Sequence, residues 1–222
     1  MDPVNIWPPV GGFLFITHIK SSNGINCNGK RLYFFQKGAV CLNTMEFAIL
    51  DFIQNNIRCG FLDFLMPKIT ALGNAGILWI ILTVIFLISK KYRNTGFVMA
   101  AALILDLIGC NLILKPLVAR ERPFEINSAV NLLISAPKDY SFPSGHTAAS
   151  FAAVGAMYFT KYKHWKIFGV IAVIIAFSRL YLYVHFPTDV LFGALLGIAC
   201  GFAAVKIYEA VSKLSKNKRY RF

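Results

Sequence analysis

Negative charge is scarce in this chain. Ten Asp and Glu stand against 23 Lys and Arg in 222 residues, a formal net charge of +13, and charged residues of both signs make up only 15%. So low a charged fraction, with 57% hydrophobic residues and a mean hydropathy of +0.59, excludes a disordered chain and argues against an ordinary soluble domain. Cysteine is also sparse. Cys27, Cys41, Cys59, Cys110 and Cys200 are odd in number and widely spaced, and no CxxC occurs. A disulfide framework or a zinc site is not expected; Cys110 and Cys200, inside apolar runs, read as small buried hydrophobes. HExxH, Asp-rich and Cys/His metal patterns are missing, so neither a metal ion nor another cofactor is expected. A signal-peptide pattern and an internal repeat are missing too.

What is present is apolar and long. Gly76–Ser89, Thr95–Leu114, Ile167–Val184 and Asp189–Tyr208 read as membrane spans, and the small-residue run Thr147–Thr160 as a fifth. Between and after them lie basic clusters: Lys90, Lys91 and Arg93; Lys161, Lys163 and Lys166; then Lys213, Lys216, Lys218, Arg219 and Arg221. If each run crosses once, the three clusters share one side, which the positive-inside rule makes cytoplasmic. The surplus charge is thereby explained without nucleic acid. Trp79 and Trp165 read as interfacial anchors, and His18 and His164 as surface residues. Glu46–Arg58 places apolar residues at 47, 50, 53 and 57 on one helical face. It either lies in the interface or begins a sixth crossing with Phe61–Leu72. Residues 1–44, with Pro3, Pro8, Pro9 and scattered Gly and Asn, read as an extension, with Met45 as the functional start.

The informative residues are polar groups at the outer ends of the spans, where charge is costly. They fall at Lys115–Pro123, Ser141–His146 and Ser178–Asp189, and the topology gathers all three on the side opposite the basic clusters. Lys115, Arg122 and Arg179 supply fixed positive charge, and guanidinium is suited to phosphate oxygens. Pro143-Ser144-Gly145 precedes an apolar helix whose free N–H groups make an anion site, with the Ser144 hydroxyl as a further donor. His185 and Asp189 are four apart, so the carboxylate can fix the imidazole tautomer and leave the other nitrogen nucleophilic. His146, with no neighbouring carboxylate, is free to act as a general acid. A lone His or basic residue at a membrane edge is ordinarily an anchor. Anchoring does not account for two His, an Asp and an anion loop on one side. Asp106 and Asn111, inside the second span, fit either an ion path or hydrogen bonds to a neighbouring helix.

Three motifs carry a resemblance. Lys115–Pro123 fits K-x6-R-P, Pro143–His146 fits P-S-G-H, and Ser178–Asp189 fits S-R-x5-H-x3-D. In this order, over about Met45 to Ser212, they resemble the type 2 phosphatidic acid phosphatase (PAP2) superfamily. The resemblance implies an all-α, polytopic membrane bundle of five or six transmembrane helices, spanning 45–212, with 213–222 as a basic cytoplasmic tail. It implies that His185 is the nucleophile, forming a phosphohistidine, that Asp189 orients it, and that His146 protonates the leaving oxygen. Lys115, Arg122, Ser144, Gly145 and Arg179 would hold the phosphate without a metal. Arg120, outside the strict motif, suits a second phosphate or a lipid headgroup. Relatives often carry Gly where Tyr183 stands.

The compact size is similar to bacterial enzymes that dephosphorylate undecaprenyl diphosphate. That implies a bacterial plasma membrane, an extracytoplasmic site, a phospholipid or polyprenyl-diphosphate substrate and no nucleic-acid partner. Phosphatidate and phosphatidylglycerophosphate are the alternative substrates. A non-hydrolytic lipid-phosphate binder or transporter is the alternative class, resting on Asp106 and Asn111. Vanadium haloperoxidases have a similar anion pocket but are soluble.

Overall fold

The computed structural model describes residues 44–219, with side chains to 214. The expectations for residues 1–43, His18, Cys27 and Cys41 among them, and for 220–222 lie outside these. The described chain is all-helical. Helix α1 covers residues 44–52 and ends in a π turn, Ile53–Ile57. Then come α2 (Gly60–Leu72), α3 (Ile77–Ile88), α4 (Arg93–Asp106), α5 (Lys115–Val118), α6 (Pro123–Ile126), α7 (Gly145–Phe159), α8 (Trp165–Tyr181) and α9 (Pro187–Arg219).

Large apolar side chains face outward along the long helices. Ile81, Ile85 and Ile88 of α3, Ile104 of α4, Val170 and Val173 of α8, and Leu191, Leu195 and Phe202 of α9 are all exposed. A water-soluble protein would not carry such a belt. By length and composition Arg93–Ile126 and Pro187–Leu214 can each cross a bilayer, and α2 with Asn74–Ile88, bent by 46°, passes the same test as a pair, as a broken span or a re-entrant loop. The expected five or six is not reached this way, because α7 and α8, at 15 and 17 residues, are shorter than the ~20 a bilayer needs. Helix α1 is too short to cross a bilayer by itself. It lies against the turn after α8: Gln54 donates to the Tyr181 carbonyl (2.7 Å), and Glu46 accepts from the Thr188 N–H (3.2 Å).

Three local devices position the site. The first is the packing of α9 on α7. A Cβ added at Gly193, Gly197 or Gly201 would lie 2.7 Å from the Ser144 carbonyl oxygen, 2.3 Å from that of Ala148 and 2.8 Å from the Ala156 nitrogen. Glycine every fourth residue thus lets the two backbones touch. That contact brings the start of α7 beside the start of α9, where the Ser144 N–H donates to the Asp189 carbonyl (3.0 Å).

The second device is the break between α2 and α3. Ala75 (φ 49°) and Gly76 (φ 68°) are left-handed, so the helix cannot run through, and Asn74 is turned toward α7. The third is the widening of α4 into a π-helix over Leu107–Leu114. Pro116, just beyond, has no N–H to give the carbonyl four residues back, which loosens the ladder there. The helix then delivers Lys115, 7% exposed, into the interior.

Trp79 departs from its expected place. It is fully buried, and its indole N–H donates to Ser150 Oγ (2.9 Å), whose hydroxyl donates to the His146 carbonyl (2.7 Å). It braces the first turn of α7 instead of anchoring the interface. Trp165 sits part-buried at the start of α8 against Tyr158, and His164 is exposed as expected.

Candidate active site

The end of α4 with α5, the start of α7, the end of α8 and the turn before α9 converge on one cavity of about 460 Å³. Lys115, Arg122, Gly145, His146, Arg179 and His185 all line it. Six of the nine expected site residues therefore share one space. Thr70, Asn74, Ser135 and Asp139 complete the polar lining.

His185 is buried in the turn between α8 and α9. Its Nε2 lies 3.2 Å from Arg122 Nη1. Arginine can only donate, so Nε2 must be the unprotonated nitrogen and Nδ1 the one carrying hydrogen. That is the tautomer in which Nε2 keeps a lone pair toward the cavity. Burial, the Arg122 and Arg179 charges next, pushes the imidazole down to about 3 against the pull of Asp189, so the ring stays neutral. Nδ1 faces Asp189 Oδ2 at 3.7 Å, longer than a hydrogen bond, and has no partner.

Asp189 stands behind the ring, outside the cavity, fully buried. Oδ2 accepts from Ser141 Oγ (2.5 Å) and the Phe186 N–H (2.8 Å), and Oδ1 accepts from Arg120 Nη1 (2.7 Å). Arg120 is thus placed differently from its expected second-phosphate or headgroup position. Its other amino group meets Glu46 at 2.5 Å, it stacks 3.9 Å over the Phe186 ring, and it does not line the cavity. Ser144 is also out of reach. Its hydroxyl is buried against Thr147 Oγ1 (2.9 Å), leaving Gly145 as the part of that loop which meets the cavity.

His146, in the first turn of α7, has Nε2 2.9 Å from Asn74 Oδ1. The amide oxygen can only accept, so Nε2 carries hydrogen. Arg179 is 2% exposed and donates to Thr70 Oγ1 (2.5 Å), while its Nε has no partner. Among the described residues it makes no ion pair. A guanidinium taken out of water without a counter-charge costs several kcal/mol, so it is poised for an anion.

Sequence reasoning missed Asp139, Asn74, Thr70 and Glu46, and gave Ser141, at the head of the second polar group, no role. Asp139 is the most consequential. Its carboxylate bridges Lys115 Nζ and Arg122 Nη2, the latter at 2.6 Å. Burial would raise that carboxyl, but the Lys115 and Arg122 contacts outweigh it and bring it to about 2.

A second cavity, about 580 Å³ and mostly apolar, runs between α3 and α4 past Ile80, Val84, Leu103, Ile104 and Leu107. It shares Lys115, Asp139, Gly145 and His146 with the first. Asp106 and Asn111 line it, and Asp106 Oδ1 is buried without a partner.

The model of the PAP2 superfamily matches residues 91–213, more than half of the chain. The chain belongs to that superfamily. It is 34% identical over 139 residues to an undecaprenyl-diphosphatase of Sulfolobus acidocaldarius, which covers 62% of this chain and 66% of the relative. Among solved structures, Aquifex aeolicus LpxE aligns with a TM-score of 0.62 at 31% identity, over 73% of this chain and 95% of that one. The transmembrane PAP2-type phosphatidylglycerolphosphate phosphatase of Bacillus subtilis aligns with a TM-score of 0.56 at 29% identity, over 78% and 96%. The chain is thus a membrane protein of a lipid-phosphatase family.

Proposed function

We propose that this chain removes a phosphate from a polyprenyl diphosphate, undecaprenyl diphosphate foremost, by a metal-independent route through a phosphohistidine. The observation that carries it is the cavity shared by a neutral His185, a second histidine and an unpaired Arg179. His185 Nε2 attacks the terminal phosphorus, and the bond from phosphorus to the bridging oxygen breaks. His146, entering this step as the imidazolium beside the bound phosphate dianion, gives its proton to that oxygen and becomes neutral, and the lipid monophosphate leaves. Asp189 draws near Nδ1–H as the ring gains charge. Water then attacks the phosphohistidine, His146 takes the water's proton, and inorganic phosphate departs. Lys115, Arg122, Arg179 and the Gly145 N–H stabilise the equatorial oxygens as charge builds.

The apolar cavity joined to the polar one suits a lipid chain carrying the phosphate. The Sulfolobus relative's activity supports the diphosphate; the Bacillus relative's supports phosphatidylglycerophosphate, the second reading. We place the catalytic unit at 45–212, with 1–44 as an extension. The basic loops at 90–93 and 161–166 lie at the helix ends opposite the site, which supports an extracytoplasmic site with the tail 213–222 in the cytoplasm; the Bacillus relative supports placing the chain in a bacterial plasma membrane.

The test is phosphate release by detergent-purified protein in EDTA, from undecaprenyl diphosphate, phosphatidate and phosphatidylglycerophosphate in parallel. Release is expected to be fastest from the diphosphate and to vanish in His185→Ala. Equal release by that variant, or none by the parent, would overturn the assignment.

A further inference from the structure

Two of the cations that face His185 already hold an anion, and it belongs to the chain itself. Asp139 offers one carboxylate oxygen to Lys115 Nζ and the other to Arg122 Nη2. Phosphate oxygens would need the same two donors. The Asp139 side chain is 53% exposed, whereas that of Asp189 is fully buried and held by three donors. One carboxylate is built in; the other can swing into water and be rehydrated at small cost.

The main chain around Asp139 is anchored independently of its carboxylate. Arg122 Nε donates to the Asp139 carbonyl (2.8 Å), and Ser141 N donates to the Arg120 carbonyl (2.8 Å). Rotation about the side-chain bonds is enough to clear the seat, and no segment has to unfold.

We propose that Asp139 is a displaceable internal anion: it holds the phosphate seat between Lys115 and Arg122, must be ejected by the lipid phosphate, and returns to help expel inorganic phosphate. This rests on reading the cavity as a phosphate site. It makes Asp139 a determinant of affinity and selectivity. A carboxylate carries one negative charge and reaches two of the three cations. A terminal phosphate of a diphosphate carries more charge and can also reach Arg179, so it wins the seat. Inorganic phosphate, with no lipid chain to hold it in the apolar cavity, competes with Asp139 on less favourable terms and leaves. If Asp139 holds the seat about nine-tenths of the time, every phosphate ligand binds about tenfold more weakly than it would otherwise.

The experiment measures binding of inorganic phosphate to the full chain in detergent by titration calorimetry. It compares the parent, Asp139→Asn and Asp139→Ala, each also with His185→Ala so that no turnover intervenes. Both substitutions are expected to lower the phosphate Kd about tenfold. They should also lower the Ki of phosphate as a product inhibitor. Damage to the fold would weaken binding, so tightening cannot arise from it. Parent binding with equal or weaker binding in both variants would overturn the role of Asp139 and leave the phosphate site standing. Absence of phosphate binding in all forms would overturn both.

Discussion

On one side of His185 every charged group has a charged partner, and on the other Arg179 has none. Behind the ring, Glu46 and Asp189 share Arg120, Thr188 and Ser141 add hydroxyls, and each carboxylate has its donors. In front, Lys115, Arg122 and Arg179 face the cavity with one half-exposed carboxylate between two of them. A buried cluster in which every charge is paired is static, because breaking any pair strands a charge. An uncompensated one is unstable until an anion arrives, which is how a preorganised site stabilises charge that develops in a transition state. The two arginines of the K-x6-R-P motif segment fall on opposite sides of this divide: Arg120 serves the scaffold and Arg122 serves the cavity.

Removing a front cation should therefore cost activity without costing stability. Arg179→Ala is expected to lower kcat/KM roughly 10²- to 10³-fold. Its Tm in detergent should stay level or rise, because an unpaired buried charge has gone. A Tm falling in step with activity would erase the distinction between the two sides. Behind the ring the reverse should hold. Glu46→Gln presents an amide N–H to Arg120, breaking a pair whose arginine is 22% exposed, and should cost about 2 kcal/mol of stability. KM should hardly move, since Glu46 does not touch the cavity. A tenfold rise in KM with Tm unchanged would place Glu46 in front.

The front was far more legible in the sequence than the back. Lys115, Arg122, His146, Arg179 and His185 announce themselves as polar residues at the ends of apolar runs, and topology alone gathers them. Glu46 meets Arg120 across 74 residues, and Asn74 meets His146 across 72. No local pattern encodes such pairings. Asp139 lay between motifs in a stretch without helical periodicity, so only the fold reveals that it reaches Lys115. Trp79 was misplaced because a tryptophan near a span's end usually marks the interface, and its partner Ser150 is 71 residues away. The spans at α7 and α8 are not recognisable from helix length alone, because both helices are short and bury much of their surface in the bundle. Tyr183 shows the opposite case. It adopts φ 58°, the region glycine enters freely, which fits the glycine that the family resemblance implies at this position. Here its hydroxyl donates to Asp51 (2.8 Å) and accepts from Asn127 (3.3 Å), tying α1 to the site's rear wall.

The smallest expected effect tests where the two sides meet, at His185 itself. Folding lowers its pKa from the ordinary 6.5 to about 3, burial first and the front cations next. Between those values the unfolded chain binds a proton that the folded chain refuses. Stability is therefore expected to fall as pH drops from about 6.5 toward 3, with a limiting slope of about 1.4 kcal/mol per pH unit, and to be free of this contribution above 6.5. Tm measured in detergent from pH 7 to pH 5 should show that slope in the parent and a shallower one in His185→Gln. Arg179→Ala should fall between them, because one of the charges that repel the proton is gone. If His185→Gln and the parent run parallel, the neutral ring is not being enforced by its surroundings. The excess of positive charge in front of it would then have to be cancelled by something other than an incoming anion.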